Sequence, residues 1–316
     1  MTTLRVALIQ DAPVAFDLQA SLAKALRLIA DAASQGSRLI VFPEAFLAGY
    51  PKGADFGARV GMRSPQGRDW FRRYWEAGVD LPGPVTLALG AAARQHGIHL
   101  VMGVVERNGG TLYCTVLFFG PDGQLLGKHR KVMPTAMERL IWGCGDGSTL
   151  AVFDTELGRL GAAICWENYM PLLRYALYAK GIQLYCAPTV DDRDTWLPTM
   201  RTIALEGRCF VLSACQFARR RDFPADYAFT NVQTPALSDE PDAVLIRGGS
   251  CMVSPLGQVL AGPAFDAPAI LAADLDLDEI ARGKYDLDVV GHYARPDIFQ
   301  LHVDERPKPP VDWLTG

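Results

Sequence analysis

The sequence lacks several features that would assign it to particular protein classes. No apolar run approaches the roughly 20 residues of a transmembrane helix. The first residues show no basic region followed by a long apolar core and a small-residue cleavage site, as a signal peptide would. We therefore expect a cytoplasmic protein. The net charge is only −4, and no long block of like charge predicts a nucleic-acid or membrane partner.

Cysteine and histidine are present, but not in the spacings of disulfide frameworks or metal sites. Seven cysteines form no Cys-x-x-Cys pair, and an odd number in a long chain argues against a disulfide framework. Five histidines lack ligand spacing, so no metal or organic cofactor is expected. The cysteines stand at positions 114, 144, 165, 186, 209, 215 and 251.

Short apolar runs alternate with helix-like segments along the chain. Residues 4–10 and 38–42 are predicted strands, with an amphipathic helix over 17–35 between them and Asp17 as its N-cap. Asn108-Gly109-Gly110 indicates a hairpin between two further strands. Because βαβ units are mixed with hairpins, we predict an α/β fold with mixed sheets covered by helices.

The domain organisation follows from the absence of a low-complexity linker or an internal repeat. We predict one domain over residues 1–303 and an extended tail over 304–316, which contains Arg-Pro-Lys-Pro-Pro. Residues 217–248 are polar and weakly periodic, which predicts a long surface excursion.

Cys165 ends the apolar run Leu160–Ile164 and directly precedes a predicted helix, with Asn168 as N-cap and Pro171 in the first turn. The thiol is then on a sharp strand-to-helix turn, where helix amides favour a thiolate and stabilise negative charge on a substrate. From this feature alone, a buried structural cysteine is the alternative.

Glu44 follows the predicted strand that ends at Phe42. A carboxylate placed where a sheet opens to an apolar pocket has a raised pKa, which suits a general base near neutral pH. A solvated loop glutamate is the alternative.

The basic segment Lys128-His129-Arg130-Lys131 follows another predicted strand. Most such clusters are solvated sheet edges. A lysine that faces a thiol and a carboxylate would instead lower the thiol pKa and stabilise anionic intermediates.

These segments together resemble the nitrilase family of carbon–nitrogen hydrolases. The resemblance rests on Phe42-Pro-Glu-Ala-Phe46, on Arg130-Lys-Val-Met-Pro134 with Glu138, and on Cys165-Trp-Glu-Asn168. It extends from Leu4 to about Val303. It implies a four-layer α-β-β-α sandwich and a Glu–Lys–Cys triad of Glu44, Lys131 and Cys165, with Glu138 as a supporting carboxylate.

The residues after the nucleophile favour the nitrilase branch of this family. Trp166 and Glu167 resemble true nitrilases, whereas amidase and carbamoylase relatives more often carry a different aromatic residue and an aspartate. We therefore expect a nitrile to be converted to a carboxylic acid and ammonia through a covalent thioimidate and thioester on Cys165. An amidase or N-carbamoyl hydrolase with the same site, and a non-catalytic assembly protein of the same fold, are the alternatives.

The predicted substrate pocket comes from residues that flank these motifs and resemble family pocket positions. For Trp142 and Trp196, a place in the core is an equal alternative. Asp191-Asp192-Arg193-Asp194 is interpreted as a charge cluster at a helix N-terminus, with a pocket rim as the alternative. The family also implies self-association as a dimer or larger oligomer. The predicted pocket residues are Tyr50, Thr135, Trp142, Trp166 and Trp196.

Overall fold

Two β-sheets form the centre of the protein. The computed structural model describes residues 3–227, 240–309 and 311. In these ranges the strands are β1 (Thr3–Gln10), β2 (Leu39–Val41), β3 (Val79–Asp80), β4 (His99–Asn108), β5 (Thr111–Phe119), β6 (Leu125–Arg130), β7 (Val152–Thr155), β8 (Gly158–Ala162), β9 (Leu184–Cys186), β10 (Phe210–Ser213), β11 (Phe217–Arg219), β12 (Val244–Val253), β13 (Val259–Phe265) and β14 (Ala269–Asp276).

Helices and short 3₁₀ turns connect these strands. The α-helices of the same ranges are α1 (Leu18–Ser34), α2 (Pro65–Glu76), α3 (Pro84–His96), α4 (Pro171–Ala179), α5 (Trp196–Gly207) and α6 (Asp278–Gly283). The 3₁₀ turns cover Ala136–Leu140, Gly147–Thr149, Cys165–Tyr169 and Arg220–Asp222.

Both sheets mix parallel and antiparallel neighbours. The first has the order β14-β1-β2-β4-β5-β6, with β3 beside β4, and the second has the order β11-β12-β10-β9-β8-β7, with β13 beside β12. Strands β1, β2 and β4 are parallel to one another, β14 and β5 pair antiparallel with β1 and β4, and β6 pairs antiparallel with β5. The predicted mixed sheets are confirmed.

The core shows why four layers form. Alternate residues of a strand point to opposite faces, so Val6 of β1 packs between the sheets together with Leu184 of β9, while Ile9 packs on the outer face against Ile29 of α1. On the far side of the second sheet, Val211 packs against α4 and α5. The layers are therefore helix, sheet, sheet and helix, which is the predicted α-β-β-α sandwich.

The register of the β5–β6 hairpin divides the charges of β6 between these layers. Arg130 lies opposite Thr115, His129 opposite Val116 and Lys128 opposite Leu117. Val116 faces the space between the sheets and Leu117 faces the outer layer. His129 therefore points inward, and Lys128 points outward.

Local predictions hold where one side chain decides the conformation. Asp17 accepts a hydrogen bond from the Ala20 amide at 2.9 Å and caps α1, and Gly109 takes φ +59 in the predicted hairpin. The expected excursion over 217–248 is wrong at its ends, because β11 and β12 pair there and bury Ala218. Residues 228–239, its middle, lie outside the described residues.

The division into a domain over 1–303 and a tail over 304–316 stays a prediction. Residues 304–309 form neither helix nor strand, and the Lys308 amide donates to Asp146 Oδ2 at 2.8 Å. Residues 310 and 312–316 lie outside the described residues. Within the described ranges, no helix combines the length and the apolar character that a membrane span requires.

Candidate active site

Three chain segments meet at the ends of strands from both sheets. Glu44 follows β2, Lys131 directly follows β6, and Cys165 lies three residues after β8. All three residues are buried. The structure thus brings together the side chains that the sequence motifs singled out, from positions up to 121 residues apart in the chain (165 − 44).

Lys131 is held between two carboxylates. Its Nζ donates to Glu44 Oε1 at 2.6 Å and to Glu138 Oε2 at 2.8 Å. Glu138 is fixed in turn, because the Tyr50 hydroxyl donates to its Oε1 at 2.9 Å and the Thr135 amide donates to its Oε2 at 2.7 Å. Two buried carboxylates therefore share one ammonium group.

Cys165 occupies a tight turn. Its φ is +50, a region that side chains other than glycine enter only when their surroundings hold them there. The Cys165 amide donates to the Pro188 carbonyl at 2.9 Å, and Asn168 Nδ2 donates to the carbonyls of Ala163 and Cys165 at 3.0 and 2.8 Å. The Thr189 hydroxyl donates to the Cys165 sulfur at 3.2 Å.

The predicted N-cap role of Asn168 is wrong. A 3₁₀ turn over Cys165–Tyr169 lies between strand β8 and helix α4, whose N-cap is Met170 and whose first residue is Pro171. The side chain of Asn168 faces back into the turn because both carbonyl acceptors lie there.

The pKa values show how the site is charged. Burial raises the pKa of Glu44, and Lys131 offsets only part of the rise. Burial lowers the pKa of Lys131, but Glu44 and the other nearby acidic groups outweigh it and hold the pKa well above its usual range. Burial and Glu44 also raise the pKa of the Cys165 thiol against the pull of Lys131 and Thr189. The thiol therefore rests protonated, and its pKa shift is opposite in direction to the one expected from the helix amides and Lys131.

A cavity of about 190 Å³ opens at the Cys165 sulfur. It contains three of the five predicted pocket residues, namely Tyr50, Thr135 and Trp166. The walls also carry the charged side chains of Lys52, Glu138, Asp191, Asp192 and Arg193. The cavity is lined by Tyr50, Lys52, Thr135, Glu138, Cys165, Trp166, Val190, Asp191, Asp192 and Arg193.

Trp142 and Trp196 do not line this cavity. Trp142 is buried in the core between the sheets, where its ring packs on Tyr50 and lies 5.7 Å from Lys131 Nζ. Trp196 is buried in the outer core of the second sheet, and its Nε1 donates to Ser213 Oγ at 2.8 Å. Both positions match the core alternative, since their aromatic area is already covered by protein.

The acidic run after Thr189 forms the rim of the cavity, contrary to our interpretation. Asp191 Oδ2 accepts a hydrogen bond from Trp166 Nε1 at 2.8 Å. Asp191 also pairs with Arg193, whose guanidinium lies 4.8 Å from the centre of the Trp166 ring. Helix α5 starts only at Trp196, so Asp191 and Arg193 precede its first turn and hold Trp166 instead. Asp192 and Asp194 contact Arg247.

Other residues of the site were missed. Cys114 Sγ donates to Glu44 Oε1 at 3.5 Å, Gln216 Nε2 donates to the Glu44 carbonyl at 2.7 Å, and Thr189 contacts Cys165. Cys114 and Gln216 lie within or beside strands and carry no local signal of a site. Thr189 lies three residues after β9, and this strand end was the available signal.

No metal centre is formed by the residues that the structure describes. Among them, no group of three or more His, Cys, Asp or Glu side chains is arranged to hold an ion.

Comparison with known proteins assigns the family. The sequence model of the carbon-nitrogen hydrolase family matches residues 5–285. A nitrilase of Bradyrhizobium diazoefficiens is 59% identical over 99% of this chain and 96% of its own length. The chain belongs to the carbon-nitrogen hydrolase family.

Further relatives place this carbon-nitrogen hydrolase in the nitrilase branch. An aliphatic nitrilase of Sinorhizobium fredii is 57% identical over 98% of this chain and 99% of that protein. A bifunctional nitrilase/nitrile hydratase of Lupinus angustifolius is 55% identical over 99% of this chain and 90% of that protein.

A solved structure supports the fold. The crystal structure of Nit3 of Saccharomyces cerevisiae, a member of the nitrilase superfamily, superposes with a TM-score of 0.68 at 24% identity. The match covers 92% of this carbon-nitrogen hydrolase and 96% of Nit3.

Proposed function

We propose that this chain is a nitrilase that converts organic nitriles to carboxylic acids and ammonia, with Cys165 as the nucleophile. The observation that carries the proposal is the placement of a buried thiol at a cavity beside Lys131, which two carboxylates hold. The relatives named as nitrilases support the choice of a nitrile.

The first half of the reaction attaches the substrate to the enzyme. Because the Cys165 thiol rests protonated, a base must take its proton during attack. We assign that role to Glu44, whose carboxylate interacts with Cys165. Its Oε1 binds Lys131, whereas no described residue lies at hydrogen-bond distance from its Oε2 in good geometry. The sulfur bonds to the nitrile carbon, one carbon–nitrogen π bond breaks, and the proton passes through Glu44 to nitrogen. Lys131 and the Trp166 amide stabilise the developing negative charge, and a thioimidate results.

The second half uses two water molecules. Glu44 takes a proton from the first water as it adds to the thioimidate carbon. The carbon–nitrogen bond then breaks, nitrogen leaves as ammonia and a thioester remains. A second water, activated in the same way, breaks the carbon–sulfur bond and restores the thiol. Glu138 keeps Lys131 charged and oriented throughout.

The test is ammonia release from a panel of aliphatic dinitriles, benzonitriles, arylacetonitriles and amides. We expect the wild type to release ammonia from nitriles and Cys165→Ala to release none while remaining folded, since alanine fits the space of a thiol. Cys251→Ala is the matched control, because Cys251 is buried in the outer core away from the site. Substantial turnover by Cys165→Ala would refute the proposed nucleophile.

An amidase or N-carbamoyl hydrolase is the second candidate, because the same cysteine can attack an amide carbon. The charged cavity wall favours it more than an apolar pocket would. A nitrile and its matching amide separate the two activities, because an amidase ignores the nitrile.

A partial nitrile hydratase activity concerns the same tetrahedral intermediate. If its carbon–sulfur bond breaks before its carbon–nitrogen bond, an amide leaves. The name of the Lupinus angustifolius relative contains both activities. Chromatographic separation of acid and amide gives the ratio for this chain.

Self-association and a cytoplasmic location belong to the same proposal. The family resemblance supports a dimer or larger oligomer, which light scattering after size-exclusion chromatography tests directly. A non-catalytic assembly protein would release no ammonia from any nitrile in the panel and would show no labelling of Cys165 by a thiol reagent.

A further inference from the structure

Glu167 is a buried carboxylate near the site that does not line the cavity. Its side chain is fully buried together with the neighbouring ring of His129. It accepts three hydrogen bonds, from the Val132 amide at 2.6 Å, from the Ile164 amide at 2.7 Å and from His129 Nε2 at 2.9 Å. The proposed reaction gives this carboxylate no step of its own.

The two amides come from the two chain segments that carry the lysine and the cysteine of the site, here called the lysine arm (131–132) and the cysteine arm (164–165). Val132 directly follows Lys131, and Ile164 directly precedes Cys165. One carboxylate thus ties the backbone after the lysine to the backbone before the nucleophile, across the interface of the two sheets. Oε1 holds the lysine arm and Oε2 holds the cysteine arm.

His129 supplies the balancing charge. Its Nδ1 lies 3.1 Å from the Thr149 carbonyl oxygen, and its Nε2 contacts Glu167. Both partners are acceptors, so both ring nitrogens donate and the ring is cationic. Burial lowers the pKa of His129, and Glu167 raises it by more.

We propose that Glu167, neutralised by His129, is a positioning residue that sets the spacing between Lys131 and Cys165. This inference rests on the proposed function of the site. Cys165 has φ +50, and the Ile164–Glu167 bond is made one residue before that strained position. We call the two amide hydrogen bonds to Glu167 the Glu167 clamp. If the clamp is weakened, the backbone turn at Cys165 relaxes, and a displacement of about 1 Å at a reacting group lowers turnover by roughly 100-fold.

The decisive variant is Glu167→Gln. It keeps the size of the side chain, but its NH₂ group donates and must leave one of the two amides without an acceptor. We expect kcat for a nitrile to fall by roughly 100-fold with KM within about threefold, because no group that lines the cavity is removed. Near-ultraviolet circular dichroism checks that the fold is kept.

Glu106→Gln is the matched control. Glu106 is also a buried carboxylate with cationic partners, Lys128 and Arg130, but it accepts no hydrogen bond from the backbone of either arm in the described contacts. We expect this control to lower the melting temperature and to leave kcat within about threefold of wild type.

Glu167→Asp guards against a failure of Glu167→Gln to fold. It keeps the charge beside His129 but is one methylene too short to hold both amides, so we expect a folded protein with kcat at least tenfold below wild type. Wild-type kcat in folded Glu167→Asp or Glu167→Gln overturns the inference, and so does an equal loss in Glu106→Gln.

A second readout separates this inference from the nitrile assignment. The rate at which iodoacetamide labels Cys165, followed by peptide mass spectrometry, requires no nitrile turnover. We expect labelling to slow at least tenfold in Glu167→Gln and to be unchanged in Glu106→Gln. If the wild type hydrolyses no nitrile but the labelling rates differ in this way, the positioning role of Glu167 is supported and the nitrile assignment is refuted. Equal labelling rates overturn the clamp.

Discussion

Strand β6 and the residue after it supply cations to two buried charge clusters with opposite stoichiometry. On the outer face, Lys128 and Arg130 both bind Glu106. Between the sheets, Lys131 binds both Glu44 and Glu138. One cluster has two cations for one carboxylate, and the other has two carboxylates for one cation.

The difference decides which cluster retains a base. Burial raises the pKa of Glu106, but Arg130 and Lys128 outweigh it and the pKa is lowered. Burial raises the pKa of Glu44, and its share of one lysine leaves the pKa raised. A carboxylate with excess cations is a stable anion, whereas one that competes for a cation accepts protons readily. Similar residues thus form a structural cluster in one place and the proposed catalytic cluster in the other.

Removing a lysine should produce the largest difference between the two clusters, both in activity and in the free energy of unfolding. Lys131→Met leaves two buried carboxylates unpaired, so we expect no measurable turnover and a loss of about 3–5 kcal/mol in the free energy of unfolding. Lys128→Met leaves Arg130 on Glu106, and Lys128 is partly exposed, so we expect a loss of about 1 kcal/mol or less and full activity. Urea unfolding and ammonia release measure both. Comparable losses of stability and activity in the two variants would contradict the proposed difference between the clusters.

Removal of the second carboxylate should have the next largest effect. Glu138→Gln keeps the shape of the side chain but removes the charge that Lys131, Tyr50 and the Thr135 amide contact. We expect kcat to fall by about 100-fold, the size typical of a lost electrostatic contribution. Steady-state kinetics at saturating nitrile checks this. Near-normal turnover would show that one carboxylate is sufficient.

The smallest effect should be a difference in the pH dependence of stability. The folded pKa of Glu106 is lowered, so its contribution is present above the unfolded pKa of about 4.3 and is lost as pH falls. The folded pKa of Glu44 is raised, so its contribution is greatest at low pH and is lost as pH rises through the folded pKa.

Urea titrations at a series of pH values test these signs. Glu106→Gln should make the free energy of unfolding rise less steeply with pH, and Glu44→Gln should make it rise more steeply. Shifts of the same sign in the two variants would contradict the pKa directions.

Sequence reasoning succeeded where a short motif and a strand end coincide. Glu44, Lys131 and Cys165 each follow a strand, and the ends of these strands meet at one place in the structure. Mixed sheets covered by helices were predictable from the pattern, since hairpins and βαβ units produce mixed sheets with apolar faces that helices must cover. The four-layer α-β-β-α order was implied by the family resemblance.

The remaining features depend on distances that a sequence does not contain. Trp142 and Trp196 flank motifs along the chain, yet their rings turn into the core. The protonation of Cys165 is a balance of burial, Glu44 and Lys131, and the turn alone suggested the opposite sign. Cys114 became part of the site only because β5 places it opposite Glu44.

The β5–β6 register has a consequence for insertions and deletions in this protein. Side chains alternate between faces, so a slip of one residue in β6 moves every cation to the opposite face. Arg130 would then point into the space between the sheets, and Lys131 would point away from Glu44. A bulge between Phe118 and Phe119 already sets this register. The turn over 120–124 therefore has a length on which the proposed active site depends, although none of its residues lines the cavity. A library that varies this turn by single residues should recover active clones only at the native length.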